Sequence, residues 1–196
     1  MVVLYATGHQ TIYENILRAW GVDPFRFPFL DTETVLSAVR CARAGVDVFA
    51  GNPCDPLHRV YDYSPLWLML AKLPFTEAWT MPAALMVCVS FIVSLTLLPP
   101  GRGALQAIVI TLGAISSAVV FTVERGNNDL VLFVLAAIAA ALACRTPLLR
   151  LIGYGAALLA GLLKYYPMTL MAMTTRERPG RFLAIGAGTL AVIALF

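Results

Sequence analysis

Apolar residues in this chain fall into long uninterrupted runs separated by short polar stretches, and not into the alternating or 3.6-residue stripes of half-buried elements. Runs at 80–98 and 104–123 reach the roughly 20 residues needed to cross a bilayer. Shorter runs follow at 130–143 and 148–163, and a further one starts at Phe182. The pattern predicts a helix for each, the two short ones borrowing flanking residues. The stretch 165–174 is too short to span unaided unless Pro167 kinks the preceding run into it, and it stays undecided.

The first 63 residues are different: polar, aromatic and broken by Pro24, Pro28, Pro53 and Pro56. Within them, 32–44 reads as an amphipathic helix, with Val35, Val39 and Ala42 on one stripe and Arg40 and Arg43 off it. Asp31 stands where an N-cap would stand and Gly45 where a C′ glycine would. The apolar stretch 63–79 is interrupted by Pro65, Lys72, Pro74 and Glu77, so it is expected to lie along a membrane surface or against other helices. The expected organisation is a water-facing first part, 1–79, and a set of transmembrane helices, 80–196.

Composition strengthens this reading. Hydrophobic residues make up 60% of the chain, charged residues 13%, and mean hydropathy is +0.80; a soluble domain carries about 25% charge. A net charge of +3 is too small for a nucleic-acid binder. The fold class expected is therefore an all-α membrane protein. No secretory signal is evident at the start, and the final apolar run is shorter than a span, so the chain reads as a piece of a larger one, truncated at one or both ends.

Basic residues mark alternate loops: Arg102, then Arg145 and Arg150, then Arg176, Arg178 and Arg181. The positive-inside rule makes these cytoplasmic. Asp31, the loop 124–129 and Lys164 then share the opposite side, and Asp31 and Lys164 are expected to approach one another across a polar cavity. Of the four cysteines, Cys88 and Cys144 belong to apolar runs, and none shows metal-site spacing. Cys41 and Cys54 share the polar first part, where free thiols are expected unless that part faces an oxidising compartment.

The loop Glu124-Arg125-Gly126-Asn127-Asn128-Asp129 packs donors and acceptors between two apolar runs. A tight turn at Gly126 and capping by Asn128 or Asp129 account for part of that. Lys164, at the end of an apolar run, needs a partner or must snorkel to the headgroups beside Tyr165 and Tyr166. His58 and Arg59 are candidates for an anionic headgroup.

Several short motifs occur in a suggestive order: Gly45, Asp47 and Phe49 followed by Asn52-Pro53-Cys54-Asp55-Pro56; Tyr63-Ser64-Pro65-Leu66-Trp67; Arg125-Gly126-Asn127-Asn128; and Lys164-Tyr165-Tyr166-Pro167. Together they resemble glycosyltransferase family 87, polyprenol-phosphate-dependent enzymes of the GT-C superfamily. The resemblance implies a multi-spanning GT-C-like helical bundle in the bacterial plasma membrane. Such an enzyme moves a mannose- or arabinose-like sugar from a polyprenyl-phosphate donor to a hydroxyl of a glycan or glycolipid acceptor on the non-cytoplasmic side. It implies that Asp31 is the general base and that Lys164 matches a lysine of a later span. Asn127 departs from the glutamine many relatives carry. In that chemistry Lys164 and Arg125 meet the leaving phosphate, with Asn127, Asn128, His58 and Arg59 as further substrate contacts. The scheme needs no metal or other cofactor, and its partners are the donor, the acceptor and membrane lipids. A transporter or lipid flippase subunit, suggested by the glycine-rich runs 153–161 and 186–188, is the competing reading.

Overall fold

The computed structural model describes residues 2–25, 27–99 and 103–196, and the described residues form helices and turns without a strand. Two short helices open the chain, α1 (Val2–Ala6) and α2 (Gln10–Ala19), followed by α3 (Leu30–Arg43). Helices α4 (Thr80–Ser94), α5 (Ala104–Ala114), α6 (Ser117–Arg125), α7 (Asp129–Ala143), α8 (Pro147–Leu163) and α9 (Pro179–Leu195) come next. Tighter 3₁₀ segments occupy Pro65–Lys72, Glu77–Trp79, Leu95–Leu97 and Tyr166–Arg176. The last of these is the stretch left undecided above, and Arg102 lies outside the described residues.

Helix α3 begins two residues earlier than a cap at Asp31 requires. Phe29 takes the N-cap position with φ 65°, and Asp31 sits in the first turn with no capping role. The reason is tertiary: the Phe29 N–H donates to the Glu124 carbonyl at 2.9 Å, and its ring packs with Ala84, Cys88, Phe91 and Leu130. At the other end the glycine reading holds, Gly45 having φ 81° just past the Ala44 cap.

The expected helix at 104–123 is broken. Helices α5 and α6 meet at 43°, because Ser116 leaves the helical conformation and its hydroxyl accepts from the Val119 N–H as a new N-cap. The Ile115 carbonyl freed at the break accepts a 2.7 Å bond from the Trp20 indole.

Helices α7 and α8 form a close hairpin, its seam built from Ala139, Ala157 and Ala160, all fully buried, and from Gly153, where an added Cβ would lie 3.2 Å from the Ala139 carbonyl. The Tyr166–Arg176 segment returns along α8, with Met168 filling the space beside Gly161.

Many large apolar side chains lie on the surface, while several polar ones are buried beside the apolar core. Buried positions include Asp31, Ser37, Asn52, Asp55, Glu124 and Asn128, whereas Met86, Leu105, Leu148, Leu183 and Leu190 are exposed. One stretch, Glu77–Leu97, is long and apolar enough to cross a membrane; it has 21 residues, mean hydropathy 2.0 and only 22% of its apolar window buried. The bent pair α5–α6 makes a second if it counts as one span, and α7, α8 and α9 are shorter apolar helices.

The expectation of free thiols in the first part is overturned: Cys41 and Cys54 are disulfide-bonded, their Cα atoms 5.9 Å apart. The bond ties the end of α3 to the Asn52–Asp55 turn and adjoins a cluster of Ala38, Val48 and Tyr61.

Candidate functional site

Three bonds clamp the start of α3 to the turn between α6 and α7. Besides the Phe29–Glu124 bond, the Thr32 hydroxyl donates to the Gly126 carbonyl at 2.8 Å, and the Asn127 amide donates to Asp31 Oδ2 at 2.5 Å. Gly126 is required here twice over: its φ is +55°, and a Cβ would stand 2.4 Å from Thr32 Oγ1.

Asp31 is 4% exposed and has Arg125 Nη1 3.9 Å from Oδ1. Burial pushes its carboxyl above the ordinary carboxylate value, more strongly than the Asn127 bond and the charges of Arg125 and Arg59 pull it down, and Asp62 adds to the rise. A carboxylate that is buried, ionisable and raised in this way is a stronger base than an exposed one. Arg125 is itself held between two rings, 4.1 Å from the centroid of Phe25 and 4.3 Å from that of Phe121.

Asn127 faces two ways. Its Oδ1 accepts from the Asp129 N–H at 2.8 Å, so it is Asn127 that caps α7, and neither Asn128 nor Asp129 performs that role by side chain. Asp129 instead pairs with Lys164 at 2.8 Å and accepts a 3.1 Å bond from the Tyr166 hydroxyl. Lys164 therefore does not snorkel alone; it has a counter-ion from the neighbouring helix and lies 5.4 Å from the Tyr166 ring centroid. Asn128 is buried, with its amide nitrogen unpartnered.

A cavity of about 690 Å³ adjoins this network, walled by Tyr63, Ser64, Asn127, Lys164, Met168 and Phe196 among others. Asp31 and Lys164 belong to one polar relay, Asp31–Asn127–Asp129–Lys164, but the approach is indirect: Asn127, not Asp31, forms part of the cavity wall.

His58 and Arg59 stand apart from that relay. Arg59 directs Nε and Nη2 at the Asp55 carboxylate, both at 3.1 Å, and also donates to Thr34 Oγ1 at 2.5 Å. Its fork is thereby taken up in holding the Asn52–Asp55 turn on α3, and no headgroup is needed to satisfy it. The Asp55 carboxyl, which burial would raise, is held below its ordinary value by Arg59 and by the N–H groups of Leu57 and Arg59. His58 is exposed with φ 53°.

Sequence reasoning missed the aromatic walls around Arg125 and the partner of Lys164. A buried-end ammonium demands a carboxylate, and Asp129 was the acid available in the facing loop, so that pair had a signal; Phe25 and Phe121 had none. No known protein family, curated protein or solved structure matches this chain.

Proposed function

We propose that this chain belongs to a multi-pass membrane glycosyltransferase that moves a sugar from a polyprenyl-phosphate donor to an acceptor hydroxyl on the non-cytoplasmic side. The observation that carries the reading is the buried Asp31 carboxylate, raised above its ordinary value and joined through Asn127 to a cavity lined by Lys164. In the proposed reaction Asn127 gives up its bond to Asp31 and opens it to the cavity, and Asp31 then takes the acceptor proton while that oxygen attacks the anomeric carbon. The bond from that carbon to the phosphate oxygen breaks, and the phosphate leaves with the electron pair. Lys164 and Arg125 supply cationic stabilisation, Lys164 exchanging Asp129 for the phosphate.

Two independent features support the orientation. The Cys41–Cys54 bond suits an oxidising compartment. Arg150 lies 14 residues before Lys164 on the same helical run, about 21 Å along the axis, which puts the arginine-rich end of α8 on the other side of the hairpin.

The test is Asp31→Asn in reconstituted membranes supplied with a radiolabelled polyprenyl-phosphate sugar. Asparagine keeps the size but cannot accept the proton, so transfer should fall about a hundredfold to ten-thousandfold with donor binding retained. Near-normal transfer by this variant refutes Asp31 as the base. The α5–α6 break favours the transporter reading, which expects the labelled lipid to change leaflet with its sugar–phosphate bond intact.

A further inference from the structure

A second polar centre is built at the far end of the α7–α8 hairpin, and the proposed transfer reaction does not use it. Glu177, 5% exposed at its side chain, lies 2.9 Å from Arg150 Nε and 3.2 Å from Arg181 Nη1, and accepts a 3.0 Å bond from the Tyr154 hydroxyl. Arg176 reaches the Cys144 sulfur at 3.8 Å, and the Arg178 guanidinium has no hydrogen-bond or ion-pair partner among the described residues. These four arginines and Glu177 wall a cavity of about 710 Å³, so four guanidinium charges face one carboxylate. Helices α8 and α9 both begin at its edge, at Pro147 and Pro179, adding the positive ends of two helix dipoles.

A second cavity, about 270 Å³, continues from the first across shared residues Glu177 and Arg181 and is walled by Leu148, Leu151 and Ile185. Leu148 and Leu151 are 69% and 55% exposed along this groove. A charged socket opening onto an apolar groove between two helices has the shape of a headgroup followed by a chain.

We propose that this arginine socket binds the phosphate of an anionic phospholipid, one acyl chain lying between α8 and α9. A phosphate fits the guanidinium fork in two bonds at once and offsets the excess positive charge. The groove distinguishes a lipid from free phosphate, which has no use for Leu148 and Leu151. The site lies about 21 Å along α8 from Lys164 and stands whether or not the transfer reaction is correct.

The experiment is native mass spectrometry of the purified full chain titrated with phosphatidylglycerol, phosphatidylcholine or glycerol phosphate, for the unaltered protein, Arg178→Gln, and Arg178→Gln with Arg181→Gln. Phosphatidylglycerol should bind at least tenfold more tightly than phosphatidylcholine, and each arginine lost should weaken it by about tenfold. The Arg178 guanidinium has no partner to lose among the described residues, and its carbonyl keeps the Phe182 N–H, so that variant should fold normally even if the double variant does not. Equal binding of the two phospholipids, or phosphatidylglycerol binding unchanged in Arg178→Gln, overturns the proposal. Glycerol phosphate binding as tightly as phosphatidylglycerol overturns the lipid in favour of a soluble phosphate.

Discussion

Replacing Asn127 by alanine isolates what sets the basicity of Asp31. Three groups favour the ionised carboxylate: the Asn127 amide at 2.5 Å and the charges of Arg125 and Arg59; burial, which is larger, opposes them. A hydrogen bond to a charged acceptor is worth about 1.5–3 kcal/mol, so losing the amide should push the Asp31 carboxyl further above its ordinary value. The carboxylate is nearly fully buried, so solvent does not screen the loss. A hydrophobic carbodiimide, which attacks only the protonated carboxyl, gives the readout: the pH of half-reaction at Asp31, mapped by mass spectrometry, should move up. The acid limb of any transfer activity should move with it, because the base works only after losing its proton. Asn127→Ala also uncaps α7 at a cost of about 1 kcal/mol, which thermal unfolding measures separately. An unchanged or lowered half-reaction pH would show that Asn127 does not act on Asp31 at all.

Other consequences follow from the same geometry. Because Asp31 is raised in the fold, the stability it contributes is complete below its unfolded value of about 3.9 and is lost as pH rises through the folded value; Asp31→Asn should therefore unfold at the same or a higher temperature than the unaltered chain at pH 7. A lower melting temperature there would contradict this. Lys164→Met should weaken donor binding by about tenfold as well as slow transfer, yet cost about 1 kcal/mol or less in stability because its pair with Asp129 is partly exposed. Donor titration and a melting curve check both halves. Gly126→Ala should cost more than about 2 kcal/mol, combining left-handed strain with the Thr32 and Ala84 clashes, whereas Gly45→Ala, with open space around it, should cost only about 1. Equal melting temperatures for the two variants would argue against the clash. Replacing Cys41 and Cys54 by alanine should lower stability by about 2–4 kcal/mol in a denaturant series, and reductant should then have no further effect.

Much of the helix pattern was legible because it is local. Apolar runs and the glycine past α3 depend on neighbours within a turn or two, and the sequence carries all of them. The features that escaped depend on distant groups. Asp31 looks like a cap until Phe29 is fixed by Glu124, and the run 104–123 looks continuous until Trp20 supplies the bond that lets Ser116 break it. Arg59 read as a headgroup contact because its partner Asp55, although four residues away, lies in a turn and not in a helix, where that spacing does not by itself announce a pair. The relay from Asp31 to Lys164 was foreseen at its two ends and at Asn127, but Asp129 was read only as a helix cap, and nothing in the spacing says that Asn127 stands between the ends.

The disulfide also has a consequence for the order in which the protein is made. Both cysteines precede the α6–α7 turn and are 13 residues apart, so they can be oxidised before that turn has been made. At ~5–20 residues per second, roughly 4–15 s of synthesis separate Cys54 from Asn127. During that interval the first part is stapled but Asp31 has neither its amide nor its guanidinium, whose partners come from the α6–α7 turn. The carboxylate is then an ordinary one, open to water. The basicity that the proposed function asks of Asp31 would thus be acquired only when the α6–α7 turn docks, so a chain caught midway through biogenesis carries that carboxylate in an unarmed form.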